Sequence, residues 1–208
     1  PLLVDNAHGA YLKFVTPSMH PIDCGADMCC DSAHKTLPVV TGGAYLHINN
    51  EKYLSGAKEA LSLFCSTSPS YLILSSLDLA NKYLSEGYRE KLSEFAHKLN
   101  ALKIALKKRG FVVLDSDPLK LTVKNFGAPL SKTLNEHNIE WEYEASDFTV
   151  LMFTPENTDA DLKAVENAFI NPPAFKENEL KAVKPKKVCS VRDALLFESE
   201  RVDIEKAV

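Results

Sequence analysis

Three short apolar runs near the start of the chain constrain the fold more than any other feature. They occupy 2–4, 27–31 and 44–48, and glycine, proline or asparagine follows or separates them. Runs this short are typical of strands buried on both faces, as in parallel sheets covered by helices. The sequence therefore predicts an α/β fold whose first sheet contains these three strands.

Three helices are predicted after these strands. The helix at 51–64 has apolar residues at spacings of three and four. The second is expected to start near Pro69, with Ser68 as its N-cap, and to run to about Gly87. Because it is apolar over much of its circumference, we expect it to be buried. The third ends at Gly110, and its apolar face is formed by Leu92, Phe95, Leu99, Leu102 and Leu106.

From Phe111 the pattern changes to short strands and short helices. Strands are predicted at 111–114, 119–123, 139–143 and 148–153, and helices at 130–137 and 159–169. Such an alternation on one small sheet indicates a second α/β or α+β unit. We therefore predict a large-domain part at 1–110 and a small domain at 111–170. Residues 171–208 are expected to be a connector, solvated at Lys181, Lys184, Lys186 and Lys187, and the start of a further domain.

Composition excludes several classes of protein. The chain has 24 basic and 28 acidic residues, a net charge of −4, which argues against a nucleic-acid-binding protein. No apolar stretch approaches the roughly 18 residues of a membrane helix, and no secretory leader opens the chain. Five irregularly spaced cysteines do not indicate a disulfide framework, so the cytoplasm is the expected compartment. The first residue is Pro1 rather than Met, and the end is helix-like and uncapped, so we expect a piece of a longer polypeptide.

Two polar segments, 5–10 and 31–38, directly follow the first two predicted strands. The carboxyl ends of neighbouring parallel strands face one crevice, where ligands bind. This expectation gathers an acid, a lysine, two histidines and a serine in one site: Asp5, Lys35, His8, His34 and Ser32. Such a set suits a pyridoxal phosphate (PLP) enzyme, in which a lysine forms a Schiff base and a carboxylate keeps the pyridine nitrogen protonated.

Each of these residues alone has an ordinary structural alternative. A strand-end aspartate such as Asp5 is commonly a turn former or a helix cap. A single lysine such as Lys35 is commonly surface charge, and His34 beside a buried strand also fits a hydrogen-bonded core residue. Their joint appearance after two consecutive strands favours a site.

The cysteines and histidines suggest a zinc site as a rival interpretation. The candidate ligands, close together in the sequence, are His20, Cys24, Cys29, Cys30 and His34. Adjacent residues of a strand point to opposite faces, so one tetrahedral site cannot easily use both Cys29 and Cys30. We therefore predict no metal, and we interpret these cysteines as small buried hydrophobic residues.

Both polar segments resemble the major domain of the ornithine/lysine/arginine decarboxylases. Segment 5–10 reads Asp-Asn-Ala-His-Gly-Ala, and 32–38 reads Ser-Ala-His-Lys-Thr-Leu-Pro, which is the most specific part. The similarity continues through 41–47, 67–71 and 76–78, and 188–195 resembles the entry into that family's C-terminal domain. The resemblance implies the aspartate-aminotransferase-like (type I) PLP fold. In it, part of a PLP-binding large domain would precede a small α/β (α+β) domain.

The resemblance also implies how the cofactor ring is held. Lys35 would be the Schiff-base lysine, and Asp5 would be the partner of the pyridinium nitrogen. Ala7 would pack against one face of the ring, and His8 would lie near its phenolic oxygen. The residues implied to be catalytic are Lys35, Asp5, His8 and His34.

Four residues are implied to lie near the phosphate or the substrate. Ser32 and His34 would lie close to the phosphate or the substrate carboxylate. Thr67 and Ser68 would reach the phosphate of a neighbouring subunit, which implies a homodimer or a higher homo-oligomer with a shared active site. A Ser-Thr-Ser-Pro helix start also presents free backbone N–H groups suited to an anion, although an ordinary capped helix fits equally well.

The implied function is PLP-dependent decarboxylation of ornithine, lysine or arginine to the corresponding amine, a step of polyamine biosynthesis. Two alternatives remain open from the sequence. One is another type I PLP enzyme, an aminotransferase or an acyl synthase, since Asp-x-Ala-His-Gly also resembles the latter group. The other is a catalytically incomplete fragment, because the family's phosphate loop and ring-stacking residue would precede Asp5.

Overall fold

A computed structural model shows two compact units, Pro1–Lys176 and Glu177–Val208. The described residues are 1–115, 117–126, 128–173 and 186–203. Within the described part of the second unit, one short helix spans Val191–Leu196, and the Ser190 hydroxyl oxygen accepts the Asp193 N–H at its start. None of the helices in these ranges is long and apolar enough to cross a membrane.

The first sheet of the Pro1–Lys176 unit has the order β1-β2-β3. Its strands are β1 (Leu3–Asp5), β2 (Met28–Asp31) and β3 (Tyr45–Ile48), which confirms the three predicted strands. β1 and β2 are parallel, whereas β2 and β3 are antiparallel, so the sheet is mixed. The β2 end therefore meets the β1 end at one edge of the sheet.

Burial on both faces of this sheet was a wrong prediction. Leu3 is 63% exposed and Leu46 is 38% exposed, on the face that they share with Asp5 and Cys30. The opposite face carries the buried Cys29 and Asp31. The physical reason is that the described residues pack against one face of the sheet alone.

A short helix, α1 (Ala33–Thr36), follows β2, and three longer helices follow the sheet. These are α2 (Leu54–Phe64), preceded by a 3-10 turn, α3 (Tyr71–Ser85) and α4 (Tyr88–Lys108). The prediction for α4 is confirmed, and its expected apolar face is buried: Leu92, Phe95, Leu99, Leu102 and Leu106.

The predictions for the start and the burial of α3 were wrong. The helix begins at Tyr71 rather than near Pro69, because the Ser70 carbonyl accepts the Leu74 N–H at 3.0 Å and Ser70 has extended backbone angles. Four of its apolar residues are exposed, Ala80 is buried, and the other apolar residues are half-buried. The exposed apolar residues on α2 and α3 are Leu54, Leu61, Leu63, Phe64, Tyr71, Leu72, Leu74 and Leu79. These apolar faces lack a partner in the described chain.

The second sheet is antiparallel, with the order β4-β5-β7-β6. Its strands are β4 (Val113–Leu114), β5 (Lys120–Lys124), β6 (Tyr143–Glu144) and β7 (Phe148–Met152), and its helices are α5 (Ser131–Glu136) and α6 (Asp159–Ala168). The strand predicted at 139–143 was wrong except at its last residue. The chain leaves α5 through Asn138, whose φ is 55°, and continues as a loop up to Tyr143.

One hydrophobic core extends from the segment after β1, through α4, to the second sheet. Leu99 and Leu106 of α4 and Leu121 of β5 are completely buried within it. The domain boundary at residue 110 stays a prediction. So does the solvated connector, since Lys186 and Lys187 are exposed while Lys181, Lys184 and the end of the chain from 204 lie outside the described residues.

Candidate active site

The two polar segments leave adjacent parallel strands at the same edge of the first sheet. Asp5, the last residue of β1, is paired in register with Cys30 of β2. The Asn6 N–H continues the ladder and donates to the Cys30 carbonyl oxygen at 2.9 Å. β2 ends one residue later at Asp31, and Ser32 then begins the second segment. Parallel pairing thus brings the two segments together.

The Asp5 carboxylate and the Lys35 ammonium group are both exposed and chemically available. Lys35 lies on α1, one turn after Ser32, whose carbonyl oxygen accepts the Lys35 backbone N–H at 3.0 Å. Over the described ranges, neither Asp5 nor Lys35 has a side-chain hydrogen bond or a salt bridge. An unpaired carboxylate and an unpaired amine at one sheet edge are free to bind a third molecule.

His8 is electrostatically linked to Lys35. The pKa of His8 is lowered, first by partial burial and then by the positive charge of Lys35. Glu142, whose carboxylate oxygen lies 3.8 Å from the His8 Nε2 atom, opposes this shift without reversing it. The neutral imidazole is therefore favoured at neutral pH, so that His8 can accept a hydrogen bond as well as donate one.

A tight turn shapes the segment that carries Ala7 and His8. The Gly9 N–H donates to the Asn6 carbonyl oxygen at 2.8 Å. A Cβ atom on Gly9 would lie 2.0 Å from the Asn6 side-chain oxygen, so any larger residue would displace Asn6. Ala7 is half-buried within this turn.

His34 is oriented by the loop that follows α1. Its backbone N–H and its Nδ1 atom both contact the Gly43 carbonyl oxygen, at 3.2 and 2.9 Å. Since a carbonyl oxygen only accepts, we assign the ring proton to Nδ1, which leaves Nε2 as an acceptor. The Ser32 hydroxyl is half-buried and has no hydrogen bond to the part of the chain that the structure describes.

Thr67 and Ser68 lie apart from this cluster. They belong to the exposed segment between α2 and α3, where the Ser68 N–H donates to the Ser66 hydroxyl oxygen. Among the described residues, no hydrogen bond or salt bridge joins them to the segments that hold Asp5 and Lys35. Their contact with the phosphate of a neighbouring subunit stays a prediction.

Sequence reasoning missed a buried carboxylate at the centre of the site's framework. Asp31 is 2% exposed and accepts hydrogen bonds from Asn6 Nδ2 at 2.8 Å, His20 Nε2 at 3.0 Å and His47 Nε2 at 2.8 Å. Burial alone would raise the pKa of Asp31, but these hydrogen bonds lower it to about 2. Strand alternation, which places Asp31 beside Cys29 on the inner face, was the available signal.

The suggested zinc ligands do not come together as a set of five. Cys29 is buried and Cys30 is exposed, as expected for opposite faces of a strand, while Cys24 is exposed. His20 and Cys29 lie with Asp31, their ligand atoms within 4.8 Å of one another. His34 contacts Gly43 instead, as described above.

A cavity of about 300 Å³ adjoins Asp31 on the inner side of the sheet. It is lined mainly by apolar side chains, together with His20, His47 and Asn81. The residues that the sequence assigned to the cofactor do not line this cavity within the described chain. The predicted site is therefore at the open edge of the sheet.

Acid should weaken the folded state partly through Asp31. Its lowered pKa gives a stabilising contribution that is present above pH ~4 and is lost as pH falls through ~2. At ~1.4 kcal/mol for each unit by which the pKa is lowered, this contribution is about 2 kcal/mol. Urea unfolding at a series of pH values measures this. We expect the free energy of unfolding to fall less between pH ~4 and ~2 in Asp31→Asn than in the wild type; equal slopes would contradict the prediction.

Over more than half of its length the chain is similar to a known family of amino-acid decarboxylases. Residues 1–125 match the family model "Orn/Lys/Arg decarboxylase, major domain". The arginine decarboxylase of Halalkalibacterium halodurans is 31% identical over 240 residues, which cover 100% of this chain and 48% of that protein. The chain thus spans about half the length of this curated relative.

Solved structures with a similar fold include a decarboxylase and a palmitoyltransferase. The constitutive lysine decarboxylase of E. coli matches with a TM-score of 0.66 and 17% identity, over 80% of this chain and 32% of that one. A serine palmitoyltransferase from Sphingomonas wittichii matches with a TM-score of 0.59 and 16% identity, over 81% of this chain and 46% of that one. The fold is therefore the α/β fold of the aminotransferase-like enzymes. Since the family model matches more than half of the residues of the chain, the chain belongs to the Orn/Lys/Arg decarboxylase family.

Proposed function

We propose that the chain is part of a PLP-dependent decarboxylase that converts ornithine, lysine or arginine to the corresponding amine. The observation that carries this proposal is that parallel pairing brings two segments of this family member to one edge of the sheet, the first with the unpaired carboxylate of Asp5 and the second with the unpaired amine of Lys35. The proposal includes a cytoplasmic location for this enzyme.

The residues present fit PLP by their chemistry. A primary amine such as that of Lys35 can bond covalently to an aldehyde, and a carboxylate such as that of Asp5 can hold a pyridinium proton. The unbonded hydroxyl of Ser32 and the His34 ring suit the phosphate or the substrate carboxylate, and Ala7 presents a small side chain to the ring face. When bound, PLP supplies an electron sink for the electron pair left behind as carbon dioxide departs.

The proposed work of each protein group follows from its charge state. Lys35 would hold the cofactor through its amine and would donate a proton to the substrate Cα atom. Asp5 would hold a proton on the ring nitrogen. His8, whose pKa is lowered, stays neutral and offers a hydrogen bond near the phenolic oxygen without adding positive charge.

A second copy of the chain is the proposed partner. The segment that holds Thr67 and Ser68 lies between the apolar ends of α2 and α3, where Phe64 is 87% exposed and Tyr71 is 83% exposed. Burying such side chains is favourable, at about 25 cal/mol per Å². Covering this surface with a neighbouring subunit would carry the two hydroxyl groups toward that subunit's site, as a shared active site requires.

The test is covalent mapping combined with product analysis. The full-length polypeptide is reconstituted with PLP, reduced with borohydride to fix the lysine–cofactor bond, digested, and analysed by mass spectrometry. We expect the label on Lys35, and we expect release of carbon dioxide and an amine from one of the three basic amino acids. Label on another lysine would contradict the site. Amino-group transfer or acyl condensation in place of carbon dioxide release would contradict the reaction.

A parallel titration uses the 208-residue chain itself. Addition of PLP should produce the absorbance of a lysine-bound cofactor, and this absorbance should vanish in Lys35→Ala. An unchanged spectrum would favour the catalytically incomplete fragment.

A further inference from the structure

We propose that Asp31 is a positioning residue, whose buried carboxylate holds the segment of Asp5 in register with the segment of Lys35. This inference rests on the proposed function, since it concerns the same site. Asp31 is the last residue of β2 and is followed directly by the Ser32–Lys35 segment, so it joins the framework to the site.

The Asp31 carboxylate bridges the two segments through its two oxygens. Oδ1 accepts from the side-chain amide of Asn6, the residue next to Asp5, at 2.8 Å. Oδ2 accepts from His20 Nε2 at 3.0 Å and from His47 Nε2 at 2.8 Å. The two imidazole rings meet edge to face, with centroids 5.1 Å apart. One carboxylate thus ties the β1 turn, the loop before β2 and strand β3 to the end of β2.

The tautomer of His20 favours a hydrogen-bond network over a metal centre. The His20 Nδ1 atom accepts the Ile22 backbone N–H at 3.3 Å, so the ring proton is on Nε2, which faces Asp31. A histidine that binds a metal through Nε2 instead carries its proton on Nδ1 and donates it to an acceptor. With Nε2 protonated, His20 is a donor to the carboxylate.

The segment of Asp5 depends on these contacts. The Asp5 side chain itself has no hydrogen bond in the described ranges, so its position follows from the backbone on either side. Asn6 is fixed by its N–H bond to Cys30, by its side-chain bond to Asp31 and by the Gly9 turn. Loss of the Asp31 acceptor would release the Asn6 side chain and loosen the residue next to Asp5.

A matched control exists at the other end of the same strand. The Asp27 carboxylate accepts the Leu2 N–H at 2.8 Å and the Asn50 side-chain amide at 2.9 Å, and so it also ties β1 to β2. Asp27 lies at the amino end of β2, whereas the site is at the carboxyl end. Both carboxylates support the sheet, but the proposal gives Asp31 alone an effect on the site.

The first experiment compares Asp31→Ala with Asp27→Ala in the full-length protein. PLP affinity is measured by spectroscopic titration, kcat and KM by amine production, and exchange of the Asn6 backbone amide by hydrogen exchange without cofactor. We expect Asp31→Ala to weaken PLP binding and lower kcat by roughly 10- to 100-fold, with KM little changed, and to speed Asn6 exchange. Asp27→Ala should stay within about 2-fold of the wild type in PLP affinity and kcat.

A double-mutant cycle that exchanges the charged and the neutral side chain keeps the proposal testable if Asp31→Ala does not fold. Asn6→Asp alone would set two carboxylates against each other, and we expect PLP affinity to fall. Adding Asp31→Asn to it restores a donor–acceptor pair with the roles exchanged, because the new amide can donate to the new carboxylate while its oxygen still faces the two histidines. We expect the double variant to recover most of the affinity; effects that simply add would overturn the proposal.

The outcomes separate this inference from the proposed function. A wild-type protein that does not bind PLP through Lys35 overturns both. Wild-type binding with equal effects of Asp31→Ala and Asp27→Ala overturns the positioning role alone. Stoichiometric zinc in the purified protein that is lost in Asp31→Ala and kept in Asp27→Ala overturns the hydrogen-bond network in favour of a metal site.

Discussion

Replacing Lys35 by alanine should abolish covalent attachment of PLP and lower decarboxylation by on the order of 10³-fold or more, since the substitution removes the amine that we propose as both nucleophile and proton donor. The Lys35 side chain is exposed and has no hydrogen bond or salt bridge to the described residues, so its removal should leave the free energy of unfolding nearly unchanged. Absorbance of the bound cofactor and amine production measure the two effects.

The matched control for this substitution is Lys98→Ala. Lys98 is a half-exposed lysine on α4 whose amine contacts Glu94 at 3.2 Å and Asp159 at 3.0 Å. Such surface pairs contribute little, so we expect cofactor attachment and turnover at the wild-type level. If Lys35→Ala keeps the absorbance of a lysine-bound cofactor and still turns over substrate, the assignment of Lys35 is wrong.

The sequence predicted those elements whose stabilising contacts lie within the described chain. α4 was predicted correctly because its apolar face packs against the core of the same unit. For α3 the apolar residues were recognised, but burial did not follow, since a hydrophobic pattern does not identify the partner that covers it. The same reason explains the exposed face of the first sheet at Leu3 and Leu46.

In the candidate site, too, some features could be predicted from the sequence and others could not. The sequence placed the segments of Asp5 and Lys35 together because each follows a strand, and the parallel pairing of β1 and β2 brings these two segments to the same edge of the sheet. The Asp31 network escaped prediction because the conformation of the loop before β2 carries His20 to the carboxylate and the antiparallel register of β3 carries His47 there. Likewise, the approach of Glu142 to His8 joins residues 134 positions apart, which no local pattern reports.

Replacing Asp5 by asparagine should leave PLP attached to Lys35 but lower kcat by roughly 10²- to 10³-fold, the size of effect expected when one preorganised charge or donor is lost from an active site. The amide has nearly the shape of the carboxylate but no charge, so it cannot favour a protonated ring nitrogen. A neutral ring accepts less readily the electron pair that is left on Cα as carbon dioxide departs. KM should change little, because Asp5 is proposed to contact the cofactor and not the substrate.

Measuring both cofactor attachment and turnover in Asp5→Asn distinguishes an effect on the ring nitrogen from a general disturbance of the sheet edge. A general disturbance of the sheet edge would reduce attachment and turnover together, whereas Asp5→Asn is expected to separate them: borohydride still labels Lys35 while amine production falls. Asp147→Asn, at an exposed carboxylate in the turn between β6 and β7, removes the same charge away from this edge and should change neither quantity. Equal turnover in Asp5→Asn and Asp147→Asn would mean that the Asp5 carboxylate does not act on the ring nitrogen.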